Sequence, residues 1–113
     1  MAEAHISGKK LTQALREMKE ISRMDFVLFS KKGKLLASTC PEPDMKMQEF
    51  VTQFGKSMAE SQTIQDWIFL KIEINEKTEH ILLVNKNGSE DSSYVIGRMA
   101  ACQIRNLYLS AQE

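Results

Sequence analysis

The chain has 113 residues, 42% hydrophobic and 27% charged, the composition of one ordinary globular domain able to bury its own core. Lys plus Arg and Asp plus Glu number 15 each, so no net field draws it toward nucleic acid or an anionic membrane. No apolar run nears the ~20 residues that span a bilayer, and the first five residues lack the charged and apolar regions of a signal peptide, so the expected location is cytoplasmic with no membrane partner.

Residues 1–7 read as a frayed start. From Lys9 to Ser22, Leu11, Leu15, Met18 and Ile21 recur at helical spacing among charged residues, which predicts a first amphipathic helix. Phe26-Val27-Leu28-Phe29 is a continuous apolar run suited to a strand covered on both faces. Lys31-Lys32-Gly33-Lys34 turns the chain, with Gly33 able to take positive φ, and Leu35–Ser38 returns as a second strand. The prolines at 41 and 43 then break the pattern. A second helix places Met47, Phe50, Val51, Phe54 and Met58 on one face, with Gly55 inside it.

Ser61–Gln65 reads as a connection, with a fifth strand around residues 61–66 as the alternative. Trp67–Ile74 alternates: Ile68, Leu70, Ile72 and Ile74 point one way, while Trp67, Phe69, Lys71 and Glu73 point the other. Asn75–Glu79 reads as a polar hairpin loop and His80–Asn85 as the returning strand. Asn87-Gly88 leads into a last long helix, N-capped by Ser89, with Glu90 and Asp91 in the first turn where the helix dipole favours them. Val95, Ile96, Met99, Ala100, Ile104, Leu107 and Tyr108 form one broad apolar face on it, and Cys102, near that face, reads as a small core residue. That face is wide enough to predict a homodimer through the C-terminal helix.

The order α-ββ-α-ββ-α predicts an α+β fold. A central antiparallel sheet of four to five strands carries helices on both faces, like the profilin-type and roadblock-type sensor folds. The chain reads as a single domain, 1–113, whose final helix carries no stop signal and is expected to run on into a linker.

Chemistry leaves few traces. Cys40 and His80 are the one nucleophile–base pair worth naming, and nothing in the sequence brings them together. The two cysteines and two histidines share no ligand spacing, and the five glycines are isolated, so neither a metal site nor a phosphate loop is expected. No catalytic residue and no cofactor is assigned. The residues that best fit a ligand site are polar, lie near strand ends and flank aromatic surface: Ser38, Thr39, Gln62 and Trp67, placed between the sheet and the middle helix.

Several segments resemble one family. They are Leu15-Arg16-Glu17-Met18-Lys19-Glu20-Ile21, Gly33–Thr39, Glu60–Gln65, and above all Gly88-Ser89-Glu90-Asp91-Ser92-Ser93-Tyr94-Val95-Ile96-Gly97-Arg98-Met99-Ala100 followed by Gln103–Leu107. Together they look like the N-terminal domain of helix-turn-helix transcription regulators of the purine-catabolism and sugar-diacid type (PucR/CdaR-like). The resemblance implies a non-catalytic sensory domain that binds a small-molecule effector. It would pass the signal through the C-terminal helix to a DNA-binding region absent from this chain, so DNA would be contacted only there. For a diacid effector, Arg98 and Lys86 are the cations nearest the apolar faces. The alternative is a roadblock-type dimeric scaffold for protein–protein interaction. An enclosed pocket would favour the sensor, and a sheet continued across a dimer would favour the scaffold.

Overall fold

The computed structural model describes residues 6–40 and 45–111. Residues 1–5 of the start expected to be frayed, and 41–44 of the proline-containing break, lie outside them; the other two residues of that start are ordered, with Ile6 buried in the core and Ser7 capping the first helix. Three helices and five strands follow in the order α1 (Gly8–Ser22), β1 (Phe26–Ser30), β2 (Leu35–Ser38), α2 (Met45–Lys56), β3 (Ser61–Ile64), β4 (Trp67–Ile74), β5 (Lys77–Asn85) and α3 (Glu90–Ala111). The strands form one antiparallel sheet in the order β2-β1-β5-β4-β3. The weakly signalled segment after α2 is therefore a strand, and it occupies an edge of the sheet.

Strand alternation divides the core into two layers. Phe26, Leu28, Ile68, Leu70, Ile72, Leu82 and Val84 point to the face covered by α1 and α3. Val27, Phe29, Phe69, Ile81 and Leu83 point to the face covered by α2 through Met47, Val51 and Phe54. All four apolar residues of β1 are buried, as a strand covered on both sides requires.

Local chemistry sets the ends of the elements. Ser7 caps α1 by accepting the Lys10 N–H at 3.2 Å, and Arg23 closes it in the left-handed region at φ 65°. Ser89 caps α3 by accepting the Ser92 N–H at 3.2 Å. Ser93, fully buried, donates to the Ser89 carbonyl at 2.9 Å and accepts from the Asn87 N–H at 3.2 Å, which ties the chain entering α3 to its first turn. The β1–β2 turn uses Gly33 at φ 90°.

The β4–β5 hairpin corrects the expected five-residue loop. Its turn is the two residues Asn75 and Glu76, at φ 55° and 67°, and the strand resumes at Lys77. Two successive left-handed residues match the right-handed twist of the flanking strands, and Asn tolerates that conformation better than most residues. Further along, the register shifts between Ile72 and Glu73, which leaves Glu79 unpaired on β4; its carbonyl accepts instead from the Lys31 N–H at 3.1 Å.

Side-chain burial corrects five other assignments. Ile21 is 87% exposed and Met58, just past the end of α2, is 99% exposed. On α3, Val95 is 55% and Met99 68% exposed, and Cys102 is exposed as well. The face of α3 that meets the sheet is Ser93, Gly97, Ala100, Ala101, Ile104 and Tyr108. A Cβ on Gly97 would lie 2.6 Å from Leu70 Cδ1 and 2.9 Å from Val84 Cγ1. The small residues let the helix approach the sheet closely, and that displaced the larger Val95 and Met99 outward.

Candidate functional site

Thr39 and Ser38 hold the end of β2 to the start of β1. The Thr39 hydroxyl donates to Asp25 Oδ1 at 2.8 Å and accepts the Phe26 N–H at 2.9 Å, while the Thr39 N–H donates to the Phe26 carbonyl at 2.9 Å. Asp25 also pairs with Lys19 at 2.7 Å. That hydrogen-bonded ammonium, with help from Thr39, holds the Asp25 carboxyl below its ordinary value despite partial burial. Ser38 Oγ makes a tight local turn, accepting the Cys40 N–H and donating to the Cys40 carbonyl, both at 3.0 Å. Burial, then the nearby Asp25 charge, pushes the Cys40 thiol up, away from the reactive thiolate. These polar groups have one another as partners.

Gln62 and Trp67 lie elsewhere. Gln62 pairs with Phe69 on β3, at the far edge of the sheet, and Trp67 pairs with Ile64 at the start of β4. Strand spacing puts β2 and β3 about 19 Å apart, and β2 and β4 about 14 Å. The structure thus brings Gln62 and Trp67 near each other and separates both from Ser38 and Thr39. Among the described residues the four do not line one cavity.

Cys40 and His80 are likewise apart. Cys40 packs against the α2 layer. His80, paired with Ile72 of the opposite layer, stacks on Tyr108 of α3 with ring centroids 4.5 Å apart. Its Nδ1 is buried without a hydrogen-bond partner among the described residues, and burial pulls the imidazole pKa below its ordinary value, outweighing the attraction of Glu79. The folded protein thus binds this proton more weakly than the unfolded chain does. Stability is expected to fall as pH drops through the ordinary histidine value of 6.5, by at most about 1.4 kcal/mol per pH unit, and to level off below the folded value. Urea midpoints between pH 7.5 and 5 check this, and His80→Gln should flatten the slope. An unchanged slope in the variant would assign the dependence to another group.

Among the described residues no group of three His, Cys, Asp or Glu is placed to hold a metal ion. A shallow hollow of about 200 Å³ lies between β3 and the first turns of α3, lined by Ser61, Thr63, Ile68, Glu90, Asp91 and Tyr94. Thr63 Oγ1 donates to Glu90 Oε1 across it. No described helix is long and apolar enough to cross a membrane.

Among the described residues two extended surfaces carry apolar side chains with little internal cover. The first is the side of the sheet under α2. That twelve-residue helix covers a five-stranded face, and Phe50 on the helix itself and Ile64, Trp67 and Cys40 around it are only partly buried. Lys71 pins the helix end, donating from Nζ to the Ser57 carbonyl while lying 5.1 Å from the Phe54 ring centre. Beside this surface runs β3, whose outer edge pairs with no described strand. The second surface is the outward face of α3 around Val95 and Met99. The sequence showed no sign of the first, while the second belongs to the helix from which a homodimer is predicted. The first needed the strand order; the second was visible as a separate four-three spacing on α3 but was merged there with the core face.

No protein-family model matches the sequence, and no curated protein matches it. Among solved structures the chain is similar to one described as MglB with tetrameric arrangement, with a TM-score of 0.66 at 13% identity over 96% of each chain. It is similar also to Myxococcus xanthus MglB, with a TM-score of 0.65 at 9% identity over 98% of this chain and 96% of that one. At such identities the likeness is one of fold. An antiparallel five-stranded sheet with two helices on one face and one on the other, matched across nearly the whole of both chains, gives this protein the roadblock-like α+β fold.

Proposed function

We propose that this chain is a non-catalytic protein-interaction module of the roadblock type that works as a homo-oligomer. The observation that carries the reading is the open β3 edge beside a half-covered apolar surface. Edge strands are ordinarily blunted by charge or proline, and Ser61-Gln62-Thr63-Ile64 carries neither. The opposite edge, β2, follows three lysines at 31, 32 and 34, which would repel a second copy. A two-fold axis at Gln62 sets Ser61 opposite Thr63 of a second copy and Glu60 opposite its Ile64. No like charges meet, the two sheets continue as one, and Phe50, Ile64 and Trp67 gain cover. The tetrameric arrangement named for one MglB structure supports self-association in a chain of this fold.

Glu60 faces β4, where its carbonyl accepts the Lys71 N–H at 3.1 Å, so Ser61 and Thr63 direct their backbone groups outward. Thr63→Pro therefore removes one outward donor and leaves the ladder to β4 in place. The variant is expected to keep its circular dichroism and to sediment as a smaller species than the unmodified protein. Identical sedimentation of the two would remove the β3 edge from the assembly.

The resemblance of Gly88–Ala100 and Gln103–Leu107 supports a particular setting for such a module, the N-terminal domain of a PucR/CdaR-type regulator. There α3 would pass an effector's binding to a DNA-binding region. A reading frame that continues past Glu113 into a helix-turn-helix domain would support this setting, and one that continues into an unrelated domain would end it.

A further inference from the structure

The outward face of α3 carries Val95, Met99, Cys102, Asn106 and Leu109, separated by four, three, four and three residues. This row is distinct from the face that meets the sheet. Val95, Met99, Cys102 and Asn106 are exposed and Leu109 is half-buried. A four-three alternation over about 21 Å of helix is the spacing of a coiled-coil seam. Heptad-spaced residues flank it: Asp91, Arg98 and Arg105 on one side, Ile96, Gln103 and Ser110 on the other.

We propose that α3 of a second copy docks along this seam, parallel and in register. The inference rests on the reading of the chain as self-associating but uses a different surface from the β3 edge. The flanking charges decide the orientation. Antiparallel helices bring like flanks together, and centring the Val95–Met99 layers then sets Arg98 against Arg98. Parallel helices bring unlike flanks together: Arg98 faces Gln103, whose side-chain carbonyl can accept from the guanidinium, and Arg105 faces Ser110. Asn106 falls on the position where a buried asparagine pairs with its own copy and fixes two strands in register. Two heptads make a weak seam alone, suited to reinforcing another contact.

Cys102 serves as the probe, because a parallel, in-register seam sets it opposite Cys102 of the second copy. An antiparallel seam centred on the Val95 and Met99 layers separates the two thiols by about 15 Å along the axis, beyond disulfide reach, and the antiparallel register that brings them closer, with Met99 opposite Cys102, sets Arg98 against Arg105. Copper-phenanthroline oxidation of the Cys40→Ser protein should give a covalent dimer on non-reducing gels, and Cys40→Ser/Cys102→Ser should give none. The cross-link should form at least about tenfold faster than from a cysteine placed at the exposed Glu17 of α1 in the double-serine background, and Met99→Glu should slow it by a similar factor. Equal rates for Cys102 and the Glu17→Cys control, or no effect of Met99→Glu, would overturn the seam. Thr63→Pro separates the two readings: rapid Cys102 cross-linking in that variant upholds the seam whether or not the edge contact exists.

Discussion

Gly97→Val lowers the stability of this domain by about 2–3 kcal/mol, the loss expected when methyl groups are forced into a filled core. The position sits where α3 presses on the sheet. A Cβ there would meet Leu70 Cδ1 at 2.6 Å and Val84 Cγ1 at 2.9 Å, and both residues are fully buried. Leu70 could turn its side chain, but Val84 is β-branched and stiff, so the helix must lift. Lifting would loosen Ala100, Ala101 and Ile104, which follow on the same face. Two effects compete in the smaller substitution. Gly97→Ala relieves the roughly 1 kcal/mol that glycine costs inside a helix, which offsets part of the clash. Gly97→Ala is therefore expected to lie near the native urea midpoint and Gly97→Val well below it. A Val variant as stable as the native protein would mean that α3 does not depend on this close approach.

Phe54→Ala costs about 3–5 kcal/mol, the range for removing a buried aromatic side chain. Phe54 is the largest side chain that α2 inserts into its layer. It is 1% exposed, and its ring meets Phe69 of β4 edge to face, with centroids 5.9 Å apart and planes at 73°. The loss falls on one element more than on the whole. Among the described elements α2 alone covers this face, whereas α1 and α3 share the other. The cavity also removes the aromatic surface under the Lys71 ammonium, whose bond to the Ser57 carbonyl closes the end of the helix. Hydrogen exchange should show faster opening across Met45–Lys56 than in β1 or β5. If the assembly uses the surface beside β3, the variant should also associate more weakly at concentrations where it remains folded. Uniform loss of protection over all elements would show that the two layers unfold as one.

Much of this architecture is legible in the residues. The alternation of Trp67–Ile74 gives both faces of β4 correctly, the four-residue apolar run of β1 shows a strand buried on both sides, and Ser89 marks the start of α3. These signals are local, since a strand's period and a helix cap depend on residues within a few positions of one another. The α+β class and the placing of helices on both faces follow, because each amphipathic element must bury its apolar side.

Other features belong to the tertiary structure alone. Hydropathy ranks Val95 and Met99 above Gly97 as core residues, yet at Gly97 the sheet approaches α3 so closely that an added Cβ would clash, and Val95 and Met99 face outward. Ser38 and Thr39 on one side and Gln62 on the other share a polar, strand-end character, but the order β2-β1-β5-β4-β3 sends them to opposite edges. Strand order depends on pairings between distant segments, and no periodicity within a segment encodes it. That same order leaves β3 with an open edge, the feature on which the proposed assembly turns.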